Sequence, residues 1–187
     1  MPIEHMAGVQ LTGHGGIEKL EYRTDIPVPI PGEGEVLIRV TVAAIKNTDI
    51  NTRIGWYSKA VTADPEAGGA DGFEMVDNDD ASWSGIPLTF PRIQGADACG
   101  YIEAVGKGLD PTRIGERVLV QTIQPHREAE PFSCITFGSE YDGSFAQYTV
   151  AKSEFTHAIN CDWTDAELAS VPCRLFDGGK HAASRVC

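Results

Sequence analysis

Two short strings hold side chains able to handle protons and carbonyl oxygens: Lys46-Asn47-Thr48-Asp49 and Gly95-Ala96-Asp97. A threonine hydroxyl donates and accepts a hydrogen bond at once, so Thr48 suits a proton relay. It equally suits the N-cap of a short helix running to about Ile54 and ended by Gly55. Asp49 and Asp97 are candidates either for an acid catalyst or for structural hydrogen bonds beneath a cleft. Lys46 can hold a phosphate, donate to a carbonyl oxygen, or extend its stem to a cleft rim. Cys99 follows Asp97 by two residues, shares its strand face, and reads as a buried small hydrophobe. His126, Glu128, Glu130 and Cys134 are spaced loosely enough that an exposed loop is favoured over a metal site. Phosphate-cradling glycines are not evident. Gly106-Lys107-Gly108 is followed by Leu109-Asp110-Pro111, and Gly13-His14-Gly15-Gly16 lacks the G-x-G-x-x-G spacing.

The elements that must position these groups are mostly strands. Two apolar stretches between Val9 and Tyr22 flank glycines and read as strand, turn, strand. Pro27, Pro29 and Pro31 mark an ordered connector. Glu35 to Ile45 is a β-branched strand. Ser58 to Pro91 is rich in Gly, Ala, Asp and Pro, includes the run Asp77-Asn78-Asp79-Asp80, and reads as a surface loop or insertion with a lid or partner contact as the alternative. Further strands are expected at Ala98–Val105, Gly115–Gln121 and Gly143–Val150. Thr164 and Glu167 have capping-box spacing at the head of a helix. The fold class is therefore mainly β with two or three short helices.

Composition excludes several partners. The formal net charge of −12 would repel nucleic acid and an anionic membrane surface. No apolar run approaches the roughly 20 residues of a membrane span, and the N-terminus has no signal-peptide pattern. The five cysteines are odd in number and well separated, which points to free thiols in a cytoplasmic setting.

Three segments in order give the chain a family likeness. They are P-G-E-G-E-V-L-I-R-V-T-V-A-A-I at 31–45, G-A-D-A-C-G-Y-I-E-A-V-G at 95–106 with I-G-E-R-V at 114–118, and G-S-F-A-Q-Y-T-V-A at 143–151 leading to D-A-E-L-A-S-V-P at 165–172. Together they resemble the N-terminal GroES-like domain of the medium-chain dehydrogenase/reductase superfamily, over about residues 6–173. The resemblance implies a partly open β-barrel. It also implies a following Rossmann domain that binds NAD(P), with a substrate held between the two.

The resemblance also sets out where a catalytic zinc would be held. Zinc-dependent relatives place Cys, His and an acid at positions matched here by Lys46, Ala96 and Asp97, with a further Cys matched by Cys173. An ammonium repels Zn²⁺ and a methyl group has no lone pair, so no metal is expected. The structural-zinc lobe, which needs four close cysteines, would fall at about Gln121–Gly143, where only Cys134 stands. The likeness then shifts to the zinc-independent quinone and enoyl reductases. There Lys46 and Tyr57 would face the nicotinamide, and Thr48 would match the proton-relaying hydroxyl of alcohol-oxidising relatives. Asp49 is the second catalytic candidate.

The expected organisation is a GroES-like domain at 1–173, carrying the 58–91 acidic insertion, and a tail at 174–187 unlike the family. Permitted codons for the tail read R-Y-S-T-A-E-N-M-L-H-R-A after removal of one G, which resembles the helix that continues in relatives. The expectation is a truncated oxidoreductase with the Rossmann domain absent. The full-length form would pass hydride from NAD(P)H to a quinone, enone or related carbonyl, and this chain alone would hold no cofactor. The alternatives are a zinc-type alcohol dehydrogenase relative that has lost its ligands, and a stand-alone interaction module. Exposed apolar surface at Val171 and Pro172 would favour a homo-oligomer.

Overall fold

In the computed structural model, residues 3–73, 76, 81–125 and 134–173 are described. Strands β1 (His5–Leu11) and β2 (Leu20–Pro27) pair antiparallel around the glycine-rich turn. The apolar run Glu35–Ala44 is β3, and helix α1 (Asn47–Ile54) follows it directly. Beyond the long connection come β4 (Arg92–Ile93), β5 (Asp97–Val105), β6 (Arg117–Val120), β7 (Ile123–Pro125) and β8 (Cys134–Thr136). The chain closes with β9 (Tyr148–Lys152), β10 (Thr156–Ala158) and helix α2 (Asp165–Ala169).

Five strands form a curled antiparallel sheet in the order β10-β6-β5-β3-β9, whose outer strands do not meet. This is the partly open barrel. A three-stranded sheet, β2-β1-β4, and the β7-β8 pair complete the architecture.

Period-two alternation explains why β3 is central. Val36 and Ile38 face a cluster with Ala98, Ile102, Val118 and Phe137, whereas Leu37 faces a second cluster with Met6, Ile26 and Ile93. Two irregularities interrupt the β3–β5 register, at Leu37/Ile38 and Val40/Val42. An extra residue exchanges the faces of a strand. After the second one, Val42 and Ala44 pack with Cys99 and Leu119 against Leu168 and Ala169 of α2. The sheet end that launches Lys46 is thereby fixed against α2.

Helix α2 forms as its sequence dictates. The Thr164 backbone N–H donates to Glu167 at 2.8 Å, and the Glu167 N–H donates to the Thr164 hydroxyl. Helix α1 departs from expectation. Its N-cap is Lys46, whose backbone N–H donates to the Asp49 carboxylate at 2.8 Å, so Thr48 lies inside the first turn and is not the cap. Gly55 ends the helix at φ 77°, as read from the sequence.

Three further expectations are corrected. The strand read at Gly143–Val150 begins only at Tyr148. Gly143, Ser144 and Phe145 instead donate to the backbone carbonyls of Ile93, Gly95 and Gln94, tying the two larger sheets together. Cys99, Cys134 and Cys173 carry no disulfide, but Cys161 is disulfide-bonded, so the free-thiol reading fails at that position. Pro172 is buried and Val171 half-buried, so these two residues do not present the exposed junction patch.

The 58–91 segment is not wholly a surface loop. Ser58, Ala81, Ser82 and Leu88 are buried, and the Ser84 hydroxyl donates to Glu140 at 2.7 Å. The acidic run 77–80, the His126–Glu130 group and the 174–187 tail lie outside the described residues.

Candidate active site

A cleft of about 460 Å³ opens where α1, the end of β6 and the end of α2 converge. Lys46, Thr48 and Tyr57 all line it, joined by Trp83, Thr122 and Cys173. The structure thus brings together three of the four expected site residues. Asp49, the fourth, is 6% exposed and lies beneath.

Asp49 anchors the floor. One carboxylate oxygen accepts from the backbone N–H groups of Gly95 and Ala96 at 3.2 and 3.0 Å, and the other from Lys46. Its own carbonyl accepts from the Gln94 side chain at 2.9 Å. One carboxylate therefore ties the start of α1 to the start of β5. Burial pushes Asp49 up to about 6, against these three donors.

Asp97, fully buried, anchors the opposite wall. Its Oδ1 accepts from the Thr122 hydroxyl at 2.8 Å and from the Cys173 backbone N–H at 2.9 Å. Its Oδ2 faces the Lys46 ammonium at 3.2 Å, an ion pair without hydrogen-bond alignment. Lys46 Nζ donates instead to the Ser170 carbonyl at 2.6 Å. Burial raises the Asp97 carboxyl, opposed by the Thr122 hydroxyl and the Lys46 charge. The Lys46 side chain is 16% exposed and its stem is largely covered, so the ammonium is held in place and does not trail in solvent. Across the cleft the Tyr57 hydroxyl donates to Thr48 Oγ1 at 3.1 Å. Two hydroxyls and one ammonium are therefore presented to one small volume. Cys99 is buried as expected, and burial pushes its thiol up to about 11, which keeps it protonated.

Residues 32–160 match the alcohol dehydrogenase GroES-like domain. This chain belongs to that family. Human quinone oxidoreductase is 30% identical over 154 residues, 82% of this chain and 33% of the human protein. An alcohol dehydrogenase of Schizosaccharomyces pombe is 26% identical over 84% of this chain and 39% of its own length. A solved Sinorhizobium meliloti 1021 protein, assigned as an alcohol dehydrogenase, superimposes with a TM-score of 0.75 and 39% identity, covering 91% of this chain and 44% of that one. The chain thus spans about a third to two-fifths of the curated relatives it matches. Its relatives are oxidoreductases of the medium-chain type.

Within the family frame, the donor set does not fit Zn²⁺. The positions matched to a thiolate and an imidazole carry an ammonium and a methyl group, and the ammonium lies beside the one remaining carboxylate. Among the described residues no group of three or more His, Cys, Asp or Glu could hold a metal ion. Nor, among them, is any helix long and apolar enough to cross a membrane.

Sequence reading missed Trp83, Thr122 and Ser170. Trp83 is the only tryptophan in the 58–91 segment, which was an available signal. Thr122 and Ser170 reach the site only through sheet register and the packing of α2, and nothing local marks them.

Proposed function

We propose that this chain is the substrate-side domain of a zinc-independent reductase that acts on a quinone, an enone or a related carbonyl compound. The Lys46–Asp97 pair carries the reading. An ammonium has three donors, and Ser170 and Asp97 face two of them, which leaves one for a substrate oxygen. Negative charge that develops on that oxygen is met by a fixed cation in a partly desolvated cleft, where electrostatic stabilisation is strong. Tyr57 and Thr48, hydroxyl to hydroxyl, hold a proton at the opposite wall and pass it by exchanging donor and acceptor roles. Asp49 acts through position: it locks the first turn of α1 to Gly95 and Ala96, and so places Lys46 and Thr48. NAD(P)H, when bound by a nucleotide-binding domain, would supply the hydride. Lys46 and Tyr57 border the volume in which its nicotinamide would meet the substrate.

The test is to fuse this chain to the nucleotide-binding domain of the S. meliloti relative and follow NADH and NADPH consumption with 1,4-benzoquinone and an enone, with EDTA present throughout. Reduction should persist in EDTA, and Lys46→Met should lower kcat/KM about 100-fold. Activity that EDTA abolishes and zinc restores would overturn the proposal. Alcohol oxidation by the same cleft is the second reading, favoured by the Thr48–Tyr57 pair. It predicts NAD(P)⁺ reduction with simple alcohols and little effect of Lys46→Met.

A further inference from the structure

The cleft carries a feature that its proton and charge chemistry does not use. Trp83 borders it with 48% of its surface exposed, and Ile45 borders it with 74%. Singly exposed apolar side chains are ordinary on a protein surface. A bare indole on the wall of a site is a contact surface.

The chain holds this indole in place. Trp83 and Ser84 are the central residues of a tight turn, closed by the Gly85 N–H donating to the Ser82 carbonyl at 3.0 Å. At the root of the turn, Ala81 and Ser82 are buried. The Ser82 and Ser84 hydroxyls lie 3.1 Å apart, and the Ser84 hydroxyl donates to Glu140 at 2.7 Å. The other Glu140 oxygen accepts from the Thr136 backbone N–H at 2.6 Å, so one carboxylate joins the turn to β8. Trp83 therefore stands on backbone tied to the barrel, and little ordering of that backbone remains to be done when a ligand binds. A second ring borders the same volume. Tyr57 lies there, braced edge-to-face by Trp56 with ring centroids 5.4 Å apart.

An indole presents a broad π-face. Flat conjugated rings stack on such a face and gain more than their buried area supplies, whereas a puckered saturated ring gains the area alone. We propose that Trp83 is a specificity-determining residue, which selects planar conjugated ring carbonyls, quinones and aryl ketones among them, over saturated ones by stacking. The assignment rests on the reading of the cleft as that of a carbonyl reductase, and adds which carbonyl compounds it takes.

The experiment titrates the isotopically labelled chain with acetophenone and with cyclohexyl methyl ketone. The two share a skeleton and a carbonyl and differ in having a flat or a saturated ring. Amide and indole N–H shifts give both affinities, and the Trp83 indole signal is identified by its loss in Trp83→Phe. Acetophenone should move that signal and the amides around Trp83 and Tyr57. The preference for acetophenone should fall about fivefold in Trp83→Leu and less than twofold in Trp83→Phe. Leucine keeps an apolar body and phenylalanine restores a ring. Differences in ring area or carbonyl strength persist in both variants, so loss of stacking is what moves the ratio. A preference unchanged in Trp83→Leu, shifts centred away from the cleft, or no binding of either ketone would overturn the role of Trp83. The reductase reading fails on a separate result, a fusion protein that turns over no carbonyl compound.

Discussion

At the residue scale, Lys46 is the cation beside a buried carboxylate. A carboxylate buried as deeply as Asp97 must be neutralised, and here a covalently attached ammonium does it. Removing that ammonium leaves the charge stranded. Lys46→Met should therefore destabilise the fold by about 3 kcal/mol, and Lys46→Met combined with Asp97→Asn should recover more than half of the loss. Urea unfolding of the three proteins checks this, and equal loss in the single and double variants would contradict it. Asp49 gives a pH-dependent counterpart. Its folded pKa of about 6 lies above the ordinary carboxylate value, so the folded state binds the extra proton. Its contribution is full below about pH 4 and is lost as pH rises through 6, with a total of about 3 kcal/mol. Asp97 shifts in the same direction. The stability difference between the unaltered chain and Asp49→Asn should thus move against the unaltered chain between pH 4 and 7. A flat difference would refute the shift. Lys46, Thr48 and Tyr57 were legible in the sequence because they sit in or beside a recognisable string. The supporting Thr122 and Ser170 were not, because their nearness to Asp97 and Lys46 depends on contacts 25 and 124 residues apart in sequence.

At the element scale, short-range chemistry was the legible part. The Thr164–Glu167 capping box specifies α2, and Gly55 specifies the end of α1. What local patterning could not reveal was where β9 begins. The run from Gly143 looks like strand, yet its backbone hydrogen bonds go to Ile93, Gln94 and Gly95 on another chain segment. Glycine permits this meeting. A Cβ on Gly143 would stand 2.4 Å from the Gly95 carbonyl and 2.5 Å from the Gly138 Cα, both backbone atoms that cannot swing away. Gly143→Ala should cost at least about 2 kcal/mol in thermal or urea unfolding, as overpacking at rigid contacts does. Thr164→Ala offers the milder comparison. It removes one cap and should cost about 1 kcal/mol, with a small rise in mobility at Ser170, the acceptor of Lys46. If the two substitutions cost the same, the three-glycine crossing is not the rigid joint that the distances describe.

At the scale of the whole molecule, the cleft is a meeting of three distant parts of the chain: the head of α1, the residues just past β6, and the residues just past α2. The fold is that of the alcohol dehydrogenase GroES-like domain, and the side chains at the meeting point are an ammonium, two hydroxyls and two buried carboxyl groups. Apolar periodicity and turn glycines made the mainly β content legible, whereas the half-barrel was legible only through the family resemblance that three motifs in order carry. The chemistry proposed for the cleft rests on comparing residue types at positions that the resemblance matches. If the scaffold still holds the geometry, restoring donors should restore a metal site. Lys46→Cys together with Ala96→His would add a thiolate and an imidazole near Asp97 and Cys173, giving a donor set of the type that Zn²⁺ and Co²⁺ accept. Removing the ammonium also removes the repulsion that now opposes a dication. Titration with Co²⁺ should then produce the visible absorption of a thiolate-ligated tetrahedral ion in the double variant, little in either single variant, and none in the unaltered chain. Thiolate-to-cobalt absorption in the unaltered chain would mean that Cys173 and Asp97 bind metal despite Lys46, and the zinc-independent function proposed for this cleft would fall with it.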